Sequence, residues 1–325
     1  MALNGSNERP TTRTRTDGSE DEHSSNAEPN RSSTVWYQDG SIVLQAANTR
    51  FRVHHTILAK NSPIFGDMMS IGEPGGDENV EGCPLVVLHD SAEDLETLLR
   101  ALYDRQYFDP RKTQPLSVIT PILRLSKKYE IQYLYDDALG ILTTEYPDTL
   151  KGWDEKFQRS VPAITRYAGL SFDVANLARE LDLQSLLPCA LYRCLLQDLE
   201  RILDGITDPE TSHVLKLSPH NQRVVMLGLP KVMCWSMNTA CMWIGEGMQE
   251  MKQCNSKKCK RGFKGMSDYF RSAFPRSRAL HRWSSKWDHK FCEKCLEVVK
   301  PRYEERRAHF WTQLPVYFDL APSDG

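Results

Sequence analysis

Short extended segments and helices follow one another between residues 39 and 146, and their order limits the possible folds more than any other feature of the chain. After the turn dipeptide Asp39-Gly40, apolar residues at 42–44 predict a first strand. Residues 49–53 alternate polar and apolar side chains, which is the period of a half-buried strand, and residues 85–88 form a third apolar run. The pattern therefore predicts a small sheet.

Three helix starts in the same region are marked by capping residues. Ser62 and Thr120 each stand directly before a proline, which favours helices that begin at these points. Ser91 caps a further helix, and the last helix of the region ends before Pro147. The helix after Ser91 has apolar residues at helical spacing: Leu95, Leu98, Leu99, Leu102 and Tyr103. Strands followed by helices indicate an α+β domain.

Taken together, these segments resemble the BTB/POZ domain over about a third of the chain. The matching residues are, in order, Asp39-Gly40, Phe51-Arg52-Val53-His54, Leu58, Ser62-Pro63-Ile64-Phe65, Asp90 and Leu98-Leu99-Arg100-Ala101-Leu102-Tyr103. The whole chain is similar to BTB-containing proteins that are abundant in basidiomycete fungi. The resemblance implies a protein–protein interaction module or scaffold. Such a module can form a homodimer, act as an adaptor for a cullin-type ubiquitin ligase, or belong to a transcription regulator.

The resemblance also implies where partners would bind. Asp39 and His55 match an acidic and a basic position that face each other in a charged pocket of dimeric relatives, although His55 as a surface histidine without a role is the alternative. Ile71-Gly72-Glu73 loosely matches the apolar-x-acid motif of cullin adaptors. Residues 34–37 are too few for an exchanged N-terminal helix, so self-association would use sheet edges or helix faces. The predicted contact area includes the last helices of the domain and Phe65, Met69, Ile71 and Glu73.

Two pairs of closely spaced cysteines, separated by a longer loop, form the one constellation with clear chemical meaning. Four thiolates can bind a tetrahedral zinc ion, and such a closed site stabilises a fold and leaves no position for hydrolysis. Neighbouring lysines favour the thiolate. There are two alternatives. His281 or His289 could replace one of the sulfurs, or the four cysteines could be reduced and hold no metal. The predicted ligands are Cys254, Cys259, Cys292 and Cys295.

The net charge of −2 hides a strong asymmetry. Residues 252–309 carry 17 Lys and Arg against 6 Asp and Glu, so this segment has a charge of +11 and the remainder −13. Aromatic residues are interleaved with the cations, from Tyr269 to Trp287, which permits nucleic-acid binding. A nucleic-acid-binding transcription regulator is therefore the alternative function. We rank it below an arrangement in which the aromatic rings form a small core around zinc and the cations are solvated.

Composition and motifs divide the chain into four parts and exclude several classes of protein. We expect a disordered polar tail at 1–33, the BTB/POZ-like domain at 34–146, an all-α region at 147–250 and a basic, zinc-stabilised module at 251–325. The chain has no glycine-rich phosphate loop, HExxH helix or nucleophile elbow, so we expect no enzyme. It has no apolar run for a membrane span or signal segment, and it contains nine cysteines. An intracellular protein with free or metal-bound thiols is predicted, in the cytoplasm or the nucleus.

Overall fold

The computed structural model describes residues 29–71, 79–209, 212–250, 254–272 and 277–320, with side chains described except at 69–71 and 237–250. Its strands are β1 (Asn30–Trp36), β2 (Ile42–Ala46), β3 (Thr49–Val53), β4 (Asn79–Val80), β5 (Cys83–Leu88), β6 (Ile206–Thr207) and β7 (Val214–Leu215). Its helices are α1 (His55–Asn61), α2 (Pro63–Ile71), α3 (Ala92–Tyr103), α4 (Leu116–Lys128), α5 (Gln132–Glu145), α6 (Leu150–Lys156), α7 (Leu170–Glu180), α8 (Leu187–Leu195), α9 (Leu199–Asp204), α10 (Pro219–Glu250), α11 (Lys257–Arg271), α12 (Ser285–Asp288) and α13 (Glu293–Tyr317).

The first five strands form one mixed sheet in the order β1-β3-β2-β5-β4. The hairpin of β2 and β3 is antiparallel, and β5 joins β2 in parallel register with Val43 opposite Leu85. The three predicted strands are thus confirmed. The predicted disordered tail extended too far, because β1 begins at Asn30 and pairs in parallel with β3. The polar sequence is held there because Val35 is buried and its backbone amide donates to the Ser32 hydroxyl.

Helices pack around this sheet, and their starts show where capping rules hold. Ser91 accepts a hydrogen bond from the Asp94 amide at 3.0 Å, so the predicted cap of α3 is confirmed. The predicted start at Thr120 is wrong, because α4 begins at Leu116 and Pro121 lies inside it. A proline this close to a helix start lacks only one interior hydrogen bond, and burial of Ile119 and Ile122 compensates for that loss.

The region after the BTB/POZ-like domain is mainly helical, as predicted, but its segmentation differs. The helices expected at 219–227 and 230–251 are one helix, α10, which continues through Pro230 because Val225 and Val232 on either side are buried in the main core. The antiparallel pair of β6 and β7, two strands of two residues each, was not predicted. None of the helices in the described ranges combines the length and the apolar content needed to cross a membrane.

The C-terminal segment does not pack as one separate module. A small core forms around Phe263, Met266 and Trp287. The end of α13, however, joins the main core through Phe310 and Leu314. The predicted boundary at residue 250 therefore marks a change in charge along the sequence. It does not mark the edge of a separately packed domain.

Candidate functional site: the cysteine cluster and the N-terminal domain surface

The structure brings the four predicted cysteines together. Their sulfur atoms all lie within 4.8 Å of one another, and the sulfurs of Cys254 and Cys292 are 4.0 Å apart. Four sulfurs at ~2.3 Å from a central zinc ion in tetrahedral geometry lie about 3.8 Å from one another. All four cysteines are free thiols, and the Cys254–Cys292 distance is about twice the ~2.05 Å of a disulfide bond. Cys254, Cys259, Cys292 and Cys295 therefore form a set that can hold a metal ion.

Two helix starts and a close backbone approach position these sulfurs. Cys259 lies in the first turn of α11, Cys292 is the N-cap of α13, and Cys295 lies in the first turn of α13. The amide of Cys292 donates to the Cys259 sulfur at 3.1 Å. A Cβ atom on Gly262 would lie 2.6 Å from the carbonyl oxygen of Lys290, so only glycine lets α11 pack this closely. Both helix N-termini favour negative charge at the cluster.

The thiols of the second pair differ in acidity. Hydrogen bonding by the backbone amide of Cys295, and then by its thiol, lowers the pKa of the Cys292 thiol to about 7. Burial raises the pKa of the Cys295 thiol. A buried sulfur of this kind is ionised only when a cation compensates for its charge, and a bound metal ion supplies that compensation.

The two histidines that could have replaced a sulfur lie elsewhere. The Nδ1 atom of His281 is 2.7 Å from the carbonyl oxygen of Arg282, and its ring packs against Tyr269 and Trp287. His289 is exposed after α12. Among the described residues, the metal-binding set consists of the cysteines alone.

The interleaved aromatic residues point into the small core. Trp287 makes edge-on contacts with Tyr269, Trp283 and Tyr303. Phe263 packs in the same manner against Phe291. This arrangement agrees with the expectation of an aromatic core beside the cysteines, whereas Phe274 lies outside the described residues.

In the N-terminal domain, the pairing of Asp39 with His55 across a dimer stays a prediction, whereas within one chain Asp39 contacts His54. The Asp39 carboxylate lies 3.3 Å from Nε2 of His54, and hydrogen bonding by that imidazole lowers the pKa of Asp39. His54 also contacts Tyr103, whose hydroxyl accepts a hydrogen bond from the His54 amide. His55 is one position too far along α1, so its side chain is exposed and only its amide is used, as donor to Ser41.

Phe65 is a core residue and not a surface contact, which corrects the prediction. It is fully buried and stacks on Tyr129 with ring centroids 4.3 Å apart. The side chains of Met69 and Ile71, and all of Glu73, lie outside the described residues. Sequence reasoning missed the exposed Met68 on α2 and Tyr133 on α5. The residues that precede these two helices are in contact, because the hydroxyl of Ser62 before α2 donates to the carbonyl oxygen of Tyr129 before α5.

A buried charge cluster joins the N-terminal domain to the helical region. The Lys156 ammonium lies 2.9 Å from the Glu145 carboxylate, and Arg193 lies 3.5 Å from the same oxygen atom. Lys156 also donates to the Glu145 carbonyl oxygen at 2.8 Å and lies over the ring of Tyr146. Burial, followed by repulsion from Arg193, lowers the pKa of Lys156 to about 8. The sequence contains no signal for this cluster, since its members are ordinary charged residues of amphipathic helices.

Comparison with known proteins agrees with this architecture. Residues 37–145 match the family model of the BTB/POZ domain. This part of the chain is a BTB/POZ domain, a protein–protein interaction module, and it is followed by helices and by the cysteine cluster. No curated protein matches the chain.

Proposed function

We propose that the chain is a non-catalytic adaptor or scaffold whose BTB/POZ domain binds a cullin-type protein or a second copy of itself. The observation that carries this proposal is the BTB/POZ domain at 37–145, in which exposed apolar side chains occur on helices α2 and α5. The buried Glu145–Lys156–Arg193 cluster supports it further, because it fixes the helical region against the last helix of the domain. A partner bound to the domain is thus held in a defined position relative to the rest of the chain.

Binding of the full chain to a cullin N-terminal domain tests this function, with Met68→Asp and Tyr133→Asp as separate variants. Both side chains are exposed, 38% and 47%, so an aspartate is tolerated by the fold. A charge at the centre of an interface typically costs 2 kcal/mol or more, so we expect the dissociation constant to rise by about 30-fold or more. Titration calorimetry measures the change.

Val87→Asp is the matched control, because Val87 is a 57% exposed apolar residue on the sheet of the same domain. We expect its affinity to equal that of the wild type. If the wild type binds neither the cullin domain nor a second copy at micromolar concentration, the adaptor proposal fails.

We propose further that the cysteine cluster binds one structural zinc ion. Four sulfur ligands occupy every position of a tetrahedral zinc ion, so no site is left for substrate or water. When bound, the ion supplies positive charge that keeps all four sulfurs ionised and links the starts of α11 and α13. The residues that would hold it are Cys254, Cys259, Cys292 and Cys295.

Metal analysis of the purified full chain checks this prediction. We expect about one zinc per chain in the wild type and less than half of that in Cys295→Ser, because a hydroxyl is a poor replacement for a buried thiolate ligand. Cys189→Ser provides the control: this thiol is also buried, but it lies outside the cluster, so zinc content should be unchanged. Equal zinc loss in both variants, or no zinc in the wild type, would exclude the site.

A further inference from the structure

The outer face of α11 carries a dense set of cations. Lys257, Lys260, Arg261 and Lys264 are exposed and recur at helical spacing on the side away from the buried Cys259. At 1.5 Å per residue, the four positions span roughly 10 Å of the helix axis. The cysteine cluster and the small core fix the inner face of the same helix, so these charges are held on a rigid support.

These cations have no carboxylate partner within the described part of the chain, and the same holds for Lys258 next to them. Several basic residues elsewhere are paired with carboxylates: Arg124 lies 2.5 Å from Glu180, and Lys128 lies 2.5 Å from Asp90. Unpaired like charges on one helix repel one another by a few tenths of a kcal/mol per pair. Binding of an external anion would therefore offset the repulsion between these cations.

The surroundings of this face restrict the kind of anion. Lys290 adds a further cation at its edge, because its ammonium lies 3.8 Å from the position of a Cβ atom on Gly265. Asp268 is the one carboxylate on α11. None of the exposed positions on α11 is a large apolar side chain. Protein interfaces have an apolar or aromatic centre, and helices that bind membranes have an apolar face, so neither partner fits this surface well.

The positions of the aromatic residues indicate whether this face suits single-stranded or double-stranded nucleic acid. Proteins that bind single strands stack exposed rings on the bases. Here Trp287 is buried, and Tyr269, Phe270 and Trp283 are half-buried against it. No described ring is placed on the cationic face, which leaves contacts to phosphate alone. We propose that the outer face of α11 binds the phosphate backbone of double-stranded nucleic acid without reading its sequence.

Fluorescence anisotropy with the zinc-loaded full chain and labelled DNA and RNA duplexes of arbitrary sequence tests this inference. Each phosphate contact contributes about −0.9 to the slope of log affinity against log salt. Five contacts give a slope of about −4.5, so affinity should fall roughly 500-fold between about 50 and about 200 mM salt. Two unrelated duplex sequences should give equal affinities.

The variant that removes the charges is Lys257→Gln with Arg261→Gln and Lys264→Gln. We expect its slope to be smaller by about 3, and the fall in affinity over the same salt range to be roughly 10-fold. The matched control is Arg105→Gln with Arg159→Gln and Arg166→Gln. It has the same charge change at exposed positions outside residues 252–309, so its salt slope should equal that of the wild type.

Three results would overturn the inference: no binding at about 50 mM salt, equal effects of the two triple variants, or displacement of the duplex by polyglutamate at equal charge concentration. The last result would identify an acidic protein as the partner. Zinc content and circular dichroism of each variant show whether it is folded. The inference does not rest on the adaptor function, because binding to a cullin domain is measured on a different surface.

Discussion

At the scale of single residues, burial decides which charges can act as structural links. Lys156 has a relative exposure of 7% and shares one carboxylate, that of Glu145, with Arg193. Burial is the main reason why this lysine loses its proton more easily than in water, and repulsion from Arg193, which shares the one carboxylate, adds to the effect.

This lysine should give the chain a measurable pH dependence. The pKa of Lys156 is about 8 in the folded state, whereas an unfolded lysine has a pKa near 10.4. Between these values the unfolded state binds more protons, so the contribution of Lys156 to the free energy of unfolding rises with pH, by up to roughly 3 kcal/mol. Urea unfolding of the wild type and of Lys156→Met at pH 7.5 and pH 10 measures this pH dependence.

Comparing the two proteins removes the effects of groups that titrate in this range and do not interact with Lys156. The difference between wild type and variant should shift in favour of the wild type at the higher pH. Parallel pH profiles would show that Lys156 is not the group responsible.

At the scale of helices and strands, local signals were sufficient where the nearest neighbours in sequence decide the structure. Ser91 caps α3 because its own hydroxyl meets an amide three residues away. The same logic failed at Thr120 and Pro230, since distant packing, and not the proline, decides where α4 and α10 begin and end. The cysteine cluster was predictable because its ligands come in close pairs along the sequence.

Gly262 illustrates what the sequence alone does not reveal. Its importance arises from Lys290, 28 residues further along the chain, whose carbonyl oxygen occupies the space of a Cβ atom. The Glu145–Lys156–Arg193 cluster is similar, because three separate helices must be placed before its members meet. Contacts of this kind depend on tertiary structure and have no local pattern.

Alanine substitutions at two helical glycines test this distinction. Gly262→Ala should destabilise the chain by about 1–3 kcal/mol and lower its zinc content, because α11 must move away from Lys290. Gly140→Ala in α5 has open space around the new methyl group, so it should stabilise by about 0.5–1 kcal/mol. Urea unfolding measures both changes, and destabilisation of equal size at the two sites would contradict the packing described for α11.

At the scale of the whole molecule, α13 connects the two cores. Cys295 lies in its first turn, and Phe310 and Leu314 near its end are buried in the main core. Between them, Arg307 is 2% exposed and binds Asp154 of α6 at 2.6 Å. The basic segment is therefore anchored to the helical region by burial and by an ion pair that is mostly shielded from water.

A single helix of 25 residues, about 37 Å long, thus has a cysteine of the cluster at one end and core residues at the other. If the proposed zinc ion is bound, its loss or oxidation of the sulfurs would free the first turns of this helix, and the buried arginine and aromatic residues further along would lose part of their support. The stability of the helical region, and not only that of the basic segment, would then depend on the supply of that metal and on reducing surroundings.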